Sequence, residues 1–317
     1  IRQAMLQAMR IMARQFVIGR SIEEAVARAG DEAAPYERYS FDMLGEAALT
    51  AADAAHHVER CTQAINVVGA ITADGDDVLA RPGLSLKLSA LHPRFAFAQR
   101  RRVLDELVPQ LVALASQARA VHVGITIDAE EAELLDLTLD VFAAALQAPA
   151  LAGWDGFGIA VQCYLKRALP LFAWLADLAT LHGTALPVRL VKGAYWDAEI
   201  KRAQERGLEG YPVFSRKLAT DVSYLACARY VLQRPEAFRA MFASHNAHTI
   251  AAVTTLAGDR RDYEFQRLHG MGEALYRAAL EGDGVCCRVY APVGSHEELL
   301  PYLVRRLLEN GANSSFV

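Results

Sequence analysis

Cysteine is scarce in this chain and is not arranged for chemistry. Five are scattered along 317 residues, only Cys286 and Cys287 are adjacent, and no CxxC spacing occurs. That excludes the dense disulfide framework of a small secreted domain, makes a reducing cytosol the simplest setting, and leaves Cys163, Cys227 and the 286–287 pair as small buried hydrophobes. An excess of one charge is missing too. Thirty-three basic against thirty-seven acidic side chains give a net charge of -4, so no bulk field gathers nucleic acid or coats an anionic membrane. No apolar run reaches membrane-spanning length, no signal peptide is present, and nothing resembles a DNA-binding arm. The chain starts at Ile1 rather than Met and stops at "NSSFV", so a longer parent with a further domain is expected.

What is present is a large apolar fraction, 53%, enough to bury a substantial core. "IRQAMLQAMRIMARQFVIG" has helical apolar spacing, and Ser21 with Glu24 signals a second short helix. From Tyr39 onward, strand-like runs recur, the first five 31 to 44 residues apart and the rest 23 to 53, with helical stretches between them. They fall at 39–44, 83–89, 121–128, 156–162, 187–193, 240–245, 263–268 and 286–291. Eight βα units over about 250 residues predict a (β/α)8 TIM-type barrel over 39–317, with an N-terminal helical segment, 1–38, outside it; a doubly wound open sheet is the alternative.

Active sites of such barrels lie at the C-terminal ends of the strands, and those ends are polar here: Lys87, Asp128, Gln162, Arg189 and Lys192, His245, Gln266, Tyr290. On the second strand Leu84, Leu86 and Leu88 share one face and Ser85, Lys87 and Ser89 the other. Near the C-terminus, Ser295 and Glu298 predict a helix running to Gly311, bent or delayed by Pro301, that carries Arg305 and Arg306. Paired guanidinium groups suit a carboxylate or phosphate, though surface arginines near a helix end are the plainer reading. "HNAH" is weak as a metal site, and "GMGEAL" lacks the third glycine and the early position of a dinucleotide fingerprint. Trp154 reads as a packing residue. Residues alone thus point to a barrel enzyme acting on a small anion, with Schiff-base chemistry on Lys87 or Lys192 as a rival.

The stretches "LKLSALHPR", "IDAEEAELL", "RLVKGAYWD", "GYPVFSRK", "SHNAHT", "EFQRLHGMGE" and "YAPVGSHEELLPYLVRRLLENGANSSF" closely resemble the proline dehydrogenase domain of the bifunctional proline utilization A flavoenzymes, in order across nearly the whole chain. The resemblance implies a barrel that holds FAD noncovalently and oxidises L-proline to pyrroline-5-carboxylate by passing a hydride to flavin N5. It implies a carboxylate clamp of Arg305, Arg306 and Lys87, ring packing by Tyr195, Leu268 and Tyr290, a pocket aspartate at Asp128, and Glu46 as a gate paired with Arg305. For the flavin it implies Asp128, Gln162, Arg189, Val191, Lys192, Gly193, Ala194, Trp196, Arg216, Lys217, Ser244, His245, Asn246, Gln266 and Glu309. Ser215 and Ser244 stand where the family often has threonine, with the hydroxyl kept. It further implies a membrane quinone as electron acceptor, an aldehyde dehydrogenase domain elsewhere in the full-length protein, and a cytoplasmic location with peripheral membrane association open to that protein. A non-catalytic flavin module sensing proline or redox state is the alternative function.

Overall fold

The computed structural model describes residues 15–45, 47–71, 77–282 and 284–295. Eight parallel strands close into one barrel in sequence order, β1 (Glu37–Met43), β2 (Gly83–Leu86), β3 (Ile125–Ile127), β4 (Phe157–Gln162), β5 (Leu186–Val191), β6 (Phe238–Ala243), β7 (Tyr263–Leu268) and β8 (Cys286–Val293). β1 closes the ring by pairing with β8 along its whole length, from Glu37 opposite Cys287 to Met43 opposite Val293. The barrel excludes the open doubly wound sheet.

Every run expected to form a strand contributes one, the seventh with the expected ends and the others with shifted ones. The third is the shortest because the helix before it ends at Ala120 and His122 takes a left-handed turn (φ 58°), so pairing begins only at Ile125. The second stops at Leu86, which puts Lys87 at the start of a short helix rather than in the ladder.

Helices cover the strands from outside, against outward side chains that are mostly apolar, such as Phe41, Leu84 and Phe265. They are α1 (Ile22–Glu32), α2 (Ala51–Gly69), α3 (Leu88–Leu91), α4 (Arg100–Ala120), α5 (Leu135–Leu146), α6 (Ala168–His182), α7 (Trp196–Glu205), α8 (Lys217–Leu232), α9 (Ala247–Ala257) and α10 (Glu273–Leu280). One continuous core runs between helices and sheet; Ile22, Ala25 and Ala29 of α1 belong to it, so this leading helix packs on the barrel wall. Ser21 caps α1 through the Glu24 N–H, while the Glu24 carboxylate reaches back to the Arg20 N–H at 2.9 Å, one residue before the partner a capping box would use. The glycines of "GMGEAL" make the turn from β7 into α10: Gly270 has φ 73°, and a Cβ there would collide with the Gln15 carbonyl oxygen. Trp154 is buried against Gly156, a packing role. All five cysteines are free, and all but the half-buried Cys286 are buried.

Outside the barrel, across β8, Arg267 of β7 donates to Glu37 of β1 at 2.7 and 3.0 Å. His269 lies beside this pair, 5% exposed, its Nε2 without a hydrogen-bond partner among the described residues. Burial first, then Arg28 and Arg267, push its pKa from 6.5 down to about 4. The unfolded chain binds a proton there between those two values and the folded chain does not, so stability falls as pH drops through that window. Over pH 7 to 5 the loss from this group is at most about 2 kcal/mol. His269→Gln removes that part of the acid slope. Urea midpoints at pH 7 and 5 measure it, and equal acid slopes in parent and variant would count against it.

Candidate active site at the barrel mouth

Four ionisable side chains and a tyrosine meet at the C-terminal end of the barrel. Lys87 Nζ donates to both carboxylate oxygens of Asp42 on β1 (3.0 and 3.1 Å) and to Asp128 Oδ2 just beyond β3 (3.2 Å), and lies 3.4 Å from the Tyr290 hydroxyl of β8. Tyr290 donates to the same Asp128 oxygen at 2.6 Å. Arg189 of β5 donates to the other Asp128 oxygen at 2.6 Å, to Ser85 Oγ at 2.8 Å and to Gln266 Oε1 at 2.6 Å, with its guanidinium 5.2 Å from the Tyr290 ring centre.

This arrangement fixes protonation states. Burial by itself would raise the Asp128 pKa, but Lys87 and Arg189 outweigh it and hold the carboxyl below its usual range. Burial opposes the Lys87 charge as well, yet Asp42 and Asp128, with Tyr195 nearby, keep it ammonium and push its pKa above the ordinary lysine value. Burial and then the Asp128 charge hold Tyr290 well up in the phenol range and beyond. A lysine needs its neutral form to build a Schiff base, so the environment of Lys87 disfavours that chemistry.

The network continues down the barrel axis. Gln266 donates to Glu264 Oε1 at 2.7 Å, and Glu264 accepts a two-pronged pair from Arg288 of β8 at 2.8 and 2.9 Å. The Arg288 guanidinium also donates to the carbonyls of Tyr39, Leu79 and Arg81, which close the other end of the barrel. An unbroken polar column therefore runs from the floor to the mouth.

To one side of the mouth lie the ends of β4 to β7. Gln162 donates to the Glu130 carbonyl at 2.8 Å and accepts from the Ala194 N–H at 2.9 Å, which ties three successive loops together. Lys192, 9% exposed, pairs with Asp221 of α8 at 2.5 Å. Gly193 takes φ 145°, and a Cβ there would strike the Tyr164 ring, so the glycine admits Tyr164 beneath the loop after β5. Trp196 Nε1 donates to the Phe214 carbonyl at 2.8 Å. His245 Nε2 accepts the Leu268 N–H at 3.0 Å, Ser244 Oγ accepts the Asn246 N–H at 3.2 Å, and Asn246 caps α9. Val191 ends β5, and Leu268, half-buried, ends β7.

Whether these residues suit a dinucleotide is tested best at α8. Its sixteen residues begin with no side-chain cap and no acidic residue in the first turn; Arg216 is the N-cap residue and Lys217 the first helical one. Cations there oppose the helix dipole, an arrangement suited to an anion placed at the N-terminus. Phosphates at that point, with Trp196 and the polar ends of β4 to β7 toward the axis, fit the donor set. Glu46, Arg305, Arg306 and Glu309 lie outside the described residues.

The proline dehydrogenase family model matches residues 25–317. The chain belongs to the proline dehydrogenase family. It is 53% identical to the bifunctional protein PutA of Klebsiella aerogenes, over the whole chain and 25% of that protein. The crystal structure of a Bradyrhizobium japonicum proline utilization A variant matches with a TM-score of 0.89 at 55% identity, over the whole chain and 32% of the other. That of Bdellovibrio bacteriovorus proline utilization A, inactivated by N-propargylglycine, matches with a TM-score of 0.92 at 30% identity, over 99% of this chain and 34% of that one. The chain thus spans about a quarter of the curated relative's length and a third of the solved ones. Among the described residues of this proline dehydrogenase family member, no helix is long and apolar enough to cross a membrane.

Sequence reasoning missed Asp42, the main partner of Lys87, and the Glu264–Arg288 pair. A signal for Asp42 was present: in "YSFDML" the polar residues Ser40 and Asp42 alternate with apolar ones, as Ser85 and Lys87 do on β2. Ser40 and Ser85 bond each other at 3.0 Å, on that same inner side.

Proposed function

We propose that this chain is an FAD-dependent proline dehydrogenase that oxidises L-proline to pyrroline-5-carboxylate. The observation that carries the reading is the Lys87–Asp128–Tyr290–Arg189 constellation at the barrel mouth, in a chain of this family. When bound, FAD supplies the hydride acceptor, at its N5; Gln162, Arg189, Val191 to Ala194, Trp196, Ser244, His245, Asn246 and Gln266 would hold it on the axis side and Arg216 and Lys217 at its phosphates, with Glu309 completing the set.

The chain's own residues bind and orient. Asp128 is a depressed carboxylate and so a poor base, while Tyr290 is a phenol that keeps its proton; neither suits abstraction from an amine near neutral pH. Their role is steric and electrostatic. Asp128 locks Lys87, Arg189 and Tyr290 into one geometry, and the Tyr290 ring forms a wall with Tyr195 and Leu268 against the substrate ring. The amine proton then leaves to solvent. Lys87 directs its donors at Asp42, Asp128 and Tyr290, so its contribution to substrate carboxylate binding is chiefly its charge. Direct clamping falls to Arg305 and Arg306, gated by Glu46. Reoxidation by a membrane quinone and handover to an aldehyde dehydrogenase domain belong to the full-length protein.

An anaerobic titration with L-proline tests the reading. The expected result is a yellow protein whose visible flavin band bleaches with proline, and which N-propargylglycine inactivates. A yellow protein that never bleaches would favour a proline or redox sensor, and a chain that takes up no flavin would end the proposal.

A further inference from the structure

The loop after β3 and the start of α7 are fastened to each other at two points, and Tyr195 lies between them. The first point is Gln162, which holds the Glu130 carbonyl with its amide N–H and the Ala194 N–H with its oxygen. The second is Glu199, whose Oε1 accepts the Ala132 N–H at 2.7 Å. Glu199 stands in the first turn of α7, its own N–H bonded to the Tyr195 carbonyl at 2.9 Å, and is 3% exposed. Further out, Arg202 and Arg206 pair with Glu133 of the same loop at 2.8 and 2.7 Å. The loop so fastened begins at Asp128, and Tyr195 is close enough to Lys87 to strengthen its charge.

We propose that Glu199 is a positioning residue that sets the separation between Tyr195 and Asp128, and with it the width of the substrate pocket. This rests on the reading of the mouth as a proline site. Glu199 is too deep to meet substrate, and an ion pair on the protein surface would not require so buried a carboxyl. What Ala132 needs from it is an acceptor at a fixed reach. Burial raises the Glu199 pKa, ahead of the opposing help from the Ala132 N–H and Arg202, so charge is the disfavoured part of the group. A neutral acceptor of the same length should serve as well.

The test compares Glu199→Gln, which keeps length and acceptor, with Glu199→Ala and with Glu199→Asp, which keeps charge but loses reach. Glu199→Gln is expected to stay within about twofold of the parent in proline KM and kcat. The Ala and Asp variants are expected to raise KM about tenfold with kcat changed much less, at unchanged flavin content. Hydrogen exchange at residues 194–199 should quicken in Ala and Asp and remain slow in Gln. A Gln variant as impaired as Ala, or Ala and Asp variants with lower thermal midpoints but parental KM, would overturn the proposal. If the parent itself is not bleached by proline, the functional reading fails; unchanged exchange in the Ala and Asp variants would remove the positioning role whether or not it does.

Discussion

Glu264→Ala is expected to be the most destabilising single change in the barrel interior, lowering the unfolding free energy by about 3–5 kcal/mol. The carboxylate accepts both prongs of Arg288 and the Gln266 amide, and both partners are buried. Removing it leaves a guanidinium with three backbone carbonyls but no counter-charge, in a space water enters poorly. A buried charge stripped of its partner costs far more than the pair contributes. Urea unfolding at neutral pH measures the loss. Glu264→Gln, which keeps one acceptor, should lose less, and the double change Glu264→Leu/Arg288→Met should recover part of the deficit because no charge is then stranded. A single alanine variant within about 1 kcal/mol of the parent would mean that the pair is not acting as a buried ion pair.

Arg189→Met is expected to have the largest effect on turnover, lowering kcat/KM for proline by roughly a hundredfold or more. One guanidinium serves Asp128, Ser85 and Gln266 and lies against the Tyr290 ring. Without it Asp128 loses one of the two cations that hold it ionised, its pKa rises, and Tyr290 and Lys87 lose a fixed partner. Lysine is not expected to rescue, because a single ammonium on a flexible stem cannot hold the planar fork that reaches Asp128, Ser85 and Gln266 together. Steady-state kinetics with proline, alongside flavin content and thermal midpoint, decide the point. Arg189→Lys with parental kinetics would place the importance of the site in charge alone.

The barrel itself was legible because its signal is repetitive. Eight strand-like runs with helical stretches between them, seven carrying a polar residue near the end, admit few other architectures, and Lys87, Asp128, Arg189 and Tyr290 could be picked out one by one as strand ends. Their mutual bonding could not. That Asp128 should meet Tyr290, 162 residues away, depends on closure of β1 against β8, which fixes which strands face each other across the axis. Gly193 illustrates a different gap. The family resemblance named it among the flavin residues, and only the fold shows that a Cβ there would strike the Tyr164 ring. The Glu264–Arg288 pair was invisible for a third reason. Both residues sit near strand beginnings, where a charged side chain in a sequence reads as solvent-exposed until the floor of the barrel is seen to cover it.

The polar column that joins floor to mouth has a consequence for how such a chain can be engineered. In many proteins buried ion pairs can be traded for well-fitted hydrophobes with a gain in thermostability. Here the lower half of the axis is open to that trade only as far as Gln266, because that amide is also a fixed point for Arg189. A designer who greases the barrel from below, one layer at a time, could keep a folded barrel until the replacement reaches Gln266, and the next layer would disturb the mouth without unfolding the chain. The boundary between scaffold and site in this chain is thus a single side chain thick.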